Sequence, residues 1–189
     1  MRIWKLGRAL TFVALLGAGC GSSDGPGATA TAQPPTTKTN AAASNTIPLN
    51  ESPTKAQPKL KTLKFWLGTE ELVTELALTP IEVETGMMFR TKMAENEGMI
   101  FVFAGPRQIA FWMRNTLLPL SCAYIDPEGN ILELHDMKPK DETPIPSETA
   151  RVQYVLEVNQ GWFQRHNIAV GTQIRTERGT LAETFFRRQ

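Results

Sequence analysis

Short apolar runs fill this chain from about Leu60 onward, whereas residues 21–58 before them hold almost no large apolar residue. Thr62 to Leu67 reads as a strand, and Gly68-Thr69 as a two-residue turn with Gly at its first position. Leu72, Leu76 and Leu78 then share one strand face while Glu71 and Glu75 share the other. At Thr79-Pro80-Ile81-Glu82 the pattern changes: Thr at N-cap, Pro at N1 and Glu at N3 make a capping box, which predicts a short helix from Pro80 to near Phe89, weakened by Gly86. Met99 to Phe103 is a continuous apolar run, as in a strand buried on both faces. Ile109 to Met113 reads as another strand, and Leu117 to Asp126 becomes strand-like beyond Pro119. Asp126-Pro127-Glu128-Gly129 has the residues of a type I turn, with Asn130 to His135 returning as a hairpin partner. Lys138 to Pro146 carries three prolines and is predicted to be loop. Gln153 to Val158 is a strand, Gln160 to His166 a short helix, and Thr172 to Thr176 a last strand. The pattern predicts an α+β domain: a mostly antiparallel, partly closed, barrel-like sheet with two short helices.

The N-terminal region follows other rules. Arg2, Lys5 and Arg8 precede an uncharged run at residues 9–18, then Gly19-Cys20. A basic start, a short apolar run and small residues before a cut site make an export signal. Ten helical residues span about 15 Å, roughly half a bilayer core, so the run is too short to be a stable span. A Cys after small residues resembles the bacterial lipoprotein signal, in which that Cys is acylated and becomes the new N-terminus. Gly17 stands at −3, where Leu is usual, and Leu16 sits one step back. Residues 21–58 include six prolines, and Ile47 and Leu49 are their only large aliphatics. Such a segment buries too little apolar area to offset its conformational entropy, so it is expected to be a disordered tether of about 30–35 Å reach. The expected organisation is a signal peptide at 1–19, a tether at 20–58, one globular domain at 59–178 and a tail at 179–189. Gly21-Ser22-Ser23-Asp24-Gly25 and Ser52-Pro53-Thr54-Lys55 match nucleophile motifs, but both lie in the tether, where no strand or helix would position them.

The chain has 189 residues and a formal net charge of +1. No basic cluster makes an electrostatic case for nucleic acid. Cys20 and Cys122 are the only cysteines. With Cys20 lipidated, Cys122 has no partner within the chain, and its apolar surroundings predict a buried core residue rather than a catalytic thiol.

Four blocks carry a likeness. Gly86-Met87-Met88-Phe89-Arg90, Gly98-Met99-Ile100-Phe101-Val102-Phe103, Phe111-Trp112-Met113-Arg114-Asn115-Thr116 with Pro119-Leu120, and Tyr154-Val155-Leu156-Glu157 with Gly161 resemble, in order and spacing, the domain of unknown function 192 (DUF192) family. The likeness covers about residues 62–177. Members are small bacterial and archaeal proteins, often exported, and the resemblance implies a fold but no substrate. One departure stands out: Ser121 occupies the place where the family usually has Asp, and Cys122 replaces a usual aliphatic. A role that needs a carboxylate at 121 is therefore in doubt for this chain.

The best candidate for chemistry is Arg114-Asn115-Thr116, where an aromatic strand ends and a loop begins. Arg114 could clamp a carboxylate or phosphate bidentately, with Asn115 and Thr116 adding hydrogen bonds. Alternatively, Asn115 and Thr116 satisfy a turn and Arg114 pairs with a nearby acid. Arg90 could complete a two-arginine anion pocket, or be a helix-end cation. Phe111-Trp112 and Trp162-Phe163 could line a groove; alternation turns one of Phe111 and Trp112 outward, which makes Trp112 a candidate. Six methionines fall in one 51-residue stretch, a composition that can serve Cu(I), but Met99 and Met113 sit in apolar strands and read as core filling. His135 and His166 have no paired metal-ligand spacing, and Glu128, Glu133 and Glu157 show no matched acid–base pairing. No metal site or cofactor is expected.

These features predict a lipid-anchored, non-catalytic domain of the cell envelope, binding a small anionic or sugar ligand or an envelope protein. The alternatives are a hydrolase-like enzyme using Arg114, Asn115 and Asp126, and a structural assembly factor. Gly21, instead of the Asp that retains lipoproteins at the inner membrane, favours the outer membrane.

Overall fold

A computed structural model describes residues 52–187. The signal, the Cys20 lipidation site and the tether up to residue 51 lie outside the described residues. Strand β1 (Thr62–Leu67) turns at Gly68-Thr69 into β2 (Glu70–Ala77), as the alternation predicts. Helix α1 (Pro80–Thr85) opens with its capping box formed both ways: the Glu82 N–H donates to the Thr79 hydroxyl, and the Thr79 N–H donates to the Glu82 carboxylate at 2.8 Å. The helix stops at Gly86, short of Phe89. Gly86 has φ +46°, and a Cβ there would lie 3.2 Å from the Phe101 ring, so the chain needs glycine to turn this close to the sheet.

Next come β3 (Glu97–Arg107), β4 (Ala110–Phe111), β5 (Leu120–Ile125), β6 (Ile131–Met137) and β7 (Ile145–Pro146). Then follow β8 (Val152–Asn159), α2 (Trp162–Arg165), β9 (Ile174–Thr176), β10 (Gly179–Thr180) and α3 (Leu181–Phe186). Eight strands form one mixed sheet in the order β10-β9-β1-β2-β3-β8-β5-β6, and β4 pairs with β7 in a separate ribbon.

The α+β class and the mostly antiparallel sheet stand, with three corrections to the rest. The sheet is not a closed or barrel-like one. Its edges are β10 and β6, and β9 and β10 are too short to pair along the seven residues of β6; one isolated bridge, Asn130 to Gln173, joins those regions. One pairing, β2 with β3, is parallel, because the intervening segment carries α1 across and returns the chain in the same direction. A third helix, α3, forms in the expected tail, opened by its own capping box at Thr180 and Glu183. The strand expected over Ile109–Met113 shrinks to Ala110–Phe111 and pairs with β7, which lies inside the proline-rich loop.

The sheet carries a core on each face. Phe65, Leu72, Ile100 and Leu156 pack with Trp162 and Phe163 of α2 and Leu181 of α3. Met99, Phe101, Cys122, Tyr124 and Val155 face the other way and pack with Met87 and Met113. Strands β3, β5 and β8 feed both cores by alternation, which is why their middles read as continuous apolar runs.

Candidate functional site

Three buried acids, Glu75, Glu133 and Glu157, interrupt the apolar pattern of the second face. Alternation along β8 puts Glu157 beside Val155 on that face, in the row Met99–Glu157–Cys122–His135 across four strands. Glu157 is 4% exposed, and burial pushes its pKa up to about 8. No donor among the described residues bonds its carboxyl. Burial, and then the Glu157 carboxyl, push the neighbouring Cys122 thiol well above its usual range, so this buried cysteine is held as a neutral thiol. Burial likewise raises the Tyr124 phenol. Its hydroxyl donates to the Ile145 carbonyl and accepts from the Phe111 N–H at 3.3 Å, fastening the β4–β7 ribbon to the sheet.

Glu157 lies in the lining of a cavity of about 230 Å³ beside that ribbon. Phe101, Phe111 and Met87 supply apolar wall, and Trp112, Arg114 and Asn115 stand in the lining too. Phe101 and Phe111 meet edge to face at 4.9 Å. The loop after β4 is held by the backbone. The Met113 N–H donates to the Asp141 carbonyl at 2.8 Å, the Thr116 N–H to Met113 at 3.0 Å and the Lys140 N–H to Thr116 at 3.0 Å. Asn115 takes a left-handed conformation, φ +54°, and its carbonyl accepts the Phe89 N–H at 2.8 Å, which ties the loop to the segment after α1. Asn tolerates this conformation better than most residues.

The structure thus brings Trp112, Arg114, Asn115 and Thr116 together around one cavity. The Arg114 guanidinium carbon lies 5.5 Å from the Trp112 ring centroid, a cation–π arrangement, and no acid among the described residues forms an ion pair with it. Trp112 is 42% exposed. Thr116 is buried, its hydroxyl donating to the Arg114 carbonyl at 3.3 Å. Arg90 is placed elsewhere: its guanidinium donates to both oxygens of Glu75 at 2.6 and 2.8 Å, so the two-arginine pocket does not form. Trp162 and Phe163 are buried in the first core rather than lining the cavity. Asp126, a candidate for the enzyme alternative, sits in the β5–β6 turn, accepting the Asn130 N–H at 2.8 Å.

Sequence reasoning set Glu157 aside because it showed no matched partner. The available signal was a single acid inside Tyr154-Val155-Leu156-Glu157-Val158, a strand apolar on both faces. Residues expected in the tether also contact the domain. Gln57 donates to the Glu82 and Gly86 carbonyls at 3.1 and 2.9 Å, and Ser52 and Pro53 line the cavity. Ser121 is buried; its hydroxyl donates to Asp136 and accepts the Gly161 N–H at 2.8 Å, at the start of α2. Among the described residues no three His, Cys, Asp or Glu side chains stand close enough to share a metal ion.

Comparison with known proteins places this architecture. A crystal structure of a Sinorhizobium meliloti 1021 protein, provisionally described as a transcription regulator, is similar at 31% identity and a TM-score of 0.59, covering 64% of this chain and 98% of that one. A protein of unknown function from Novosphingobium aromaticivorans DSM 12444 is similar at 33% identity and a TM-score of 0.59, covering 64% and 90%. No curated protein matches. The family model of DUF192, described as an uncharacterised ACR, matches residues 65–176, which include every block that carried the resemblance. This chain therefore belongs to the DUF192 family.

Proposed function

We propose that this protein is a lipid-anchored module of the cell envelope whose domain binds a small molecule in the cavity between α1 and the loop after β4. The observation that carries the reading is the convergence of Arg114, which makes no ion pair among the described residues, an exposed Trp112 and Asn115 on a cavity walled by Phe101 and Phe111. Apolar walls with a few fixed polar groups are what small-ligand sites have in common. Arg114 suits a carboxylate or phosphate, since its fork donates two parallel hydrogen bonds. The rings suit a flat or apolar body. The basic N-terminus, the short apolar run and Cys20 support the anchor and the envelope location, with the outer membrane favoured by Gly21.

Thermal-shift screening of the full chain against small anionic, sugar and aromatic compounds tests the binding reading. Stabilising hits should be lost in Arg114→Ala and weakened in Trp112→Ala. Hits that survive Arg114→Ala unchanged would place binding elsewhere. Mass spectrometry tests the anchor: the mature chain should begin at an acylated Cys20, and an intact Met1 with a free thiol at 20 would refute it.

A catalytic reading has one observation in its favour. Glu84, exposed, and Glu157, buried, line the same cavity, and carboxyls in unlike environments can divide acid and base roles. Turnover of a bound compound, abolished in Glu157→Gln, would establish it.

A further inference from the structure

We propose that the ligand of this cavity carries a protonated amine, which it sets against the Glu157 carboxylate, and an anionic group, which it presents to Arg114. This rests on the binding reading above and names the ligand class. Four carboxyl side chains are buried among the described residues, and three have donors. Glu75 takes Arg90, Asp126 takes the Asn130 N–H, and Glu133 takes the Glu148 N–H at 2.9 Å. Glu157 takes none, yet it faces the cavity. A buried carboxyl without a donor is costly, so a donor from a ligand is strongly favoured there.

The surroundings specify a charged donor. Cys122, next to Glu157 on β5, is held as a neutral thiol, and Tyr124 as a neutral phenol. Met99, its neighbour on β3, has no charge. On β6, His135 is occupied by Glu133 at 3.0 Å. Beyond Met99, Glu75 is neutralised by Arg90. Glu84 is at an exposed position, and Arg114 is the one cation in the lining described. Among the described residues no cation is left to neutralise the Glu157 carboxylate, and no acid pairs with Arg114. An unpaired guanidinium and an unpaired carboxyl in one apolar-walled cavity fit a molecule with an apolar body, an anionic group and an ammonium. Glu157, raised to about 8 by burial, is mostly protonated at neutral pH without a ligand, so binding an ammonium displaces a proton from its carboxyl into solvent.

Titration calorimetry with the full chain tests this, using phenethylamine (amine only), 3-phenylpropionate (acid only) and L-phenylalanine (both). L-phenylalanine should bind tightest. Affinity for both amines should rise about tenfold from pH 6 to 7 and level off above pH 8, because only the ionised carboxyl binds them. Close to one proton should be released at pH 7, read from the dependence of the heat on buffer ionisation enthalpy. Glu157→Gln should abolish the pH dependence and the preference for phenethylamine over 3-phenylpropionate. If that variant does not fold, proton release by the unaltered chain decides. Tightest binding by 3-phenylpropionate, dependent on Arg114, would keep the binding reading and overturn this inference, as would amine binding without proton release. No binding of any of the three probes between pH 6 and 9 would overturn the inference, whereas the wider screen judges the binding reading separately.

Discussion

Glu75 and Glu157 flank Met99 in one row of one sheet face, and both are buried, yet they are treated in opposite ways. Glu75 accepts two hydrogen bonds from Arg90 and a third from the Leu60 N–H at 2.7 Å. Glu157 accepts none among the described residues and borders a cavity. The first acid is part of what holds the domain together, pinning the segment after α1 and the start of the domain to β2. The second has no such partner, and an acid whose pKa burial raises at the edge of a cavity is a candidate functional group.

The largest effect should come from making Glu75 resemble Glu157. Arg90→Ala strands a buried carboxylate and should cost about 3–5 kcal/mol in urea unfolding. A loss under about 1 kcal/mol would mean that the pair is only incidental. The pH dependence of stability addresses Glu157 directly. In the unfolded chain this group ionises near 4.5, but in the folded domain near 8, so between those values the folded state holds the extra proton. Stability should therefore fall as pH rises through that window, by about 3 kcal/mol from pH 5 to 7.5, and then flatten. Glu157→Gln should remove that slope; an unchanged slope would show that the carboxyl is not buried as described.

The cavity loop offers smaller tests. Asn115→Ala places a β-carbon in the left-handed region without Asn's local hydrogen bonding, and should cost about 1 kcal/mol, with Asn115→Gly closer to neutral. Equal losses in both would point to the Asn side chain rather than its backbone conformation. Arg114→Ala should leave stability within about 0.5 kcal/mol, since its head makes no ion pair among the described residues. A much larger loss would turn the proposed binding arginine into a second Arg90.

Much of the scaffold was legible, because its signals are local. The box at Thr79–Glu82 and the turn at Gly68-Thr69 each need only a few neighbouring residues. Most strands follow from alternation. The candidate site was half legible: Trp112, Arg114, Asn115 and Thr116 are consecutive or nearly so, and the loop that holds them stands at a strand end. Arg90 was misjudged because its partner, Glu75, lies 15 residues away on β2. Glu157 was set aside because one acid in an apolar strand looks the same whether it is paired or bare.

By itself, then, the sequence determined most of the elements, the family blocks and the residues that crowd one loop, since backbone propensity and alternation act over a few positions. The order of eight strands, the open rather than closed sheet and the parallel β2–β3 pair came only with the tertiary structure, as did the meeting of Glu157 with a loop some forty residues before it. Those depend on pairing between distant segments. Whether a buried charge finds a partner is settled only when every neighbouring strand is in place.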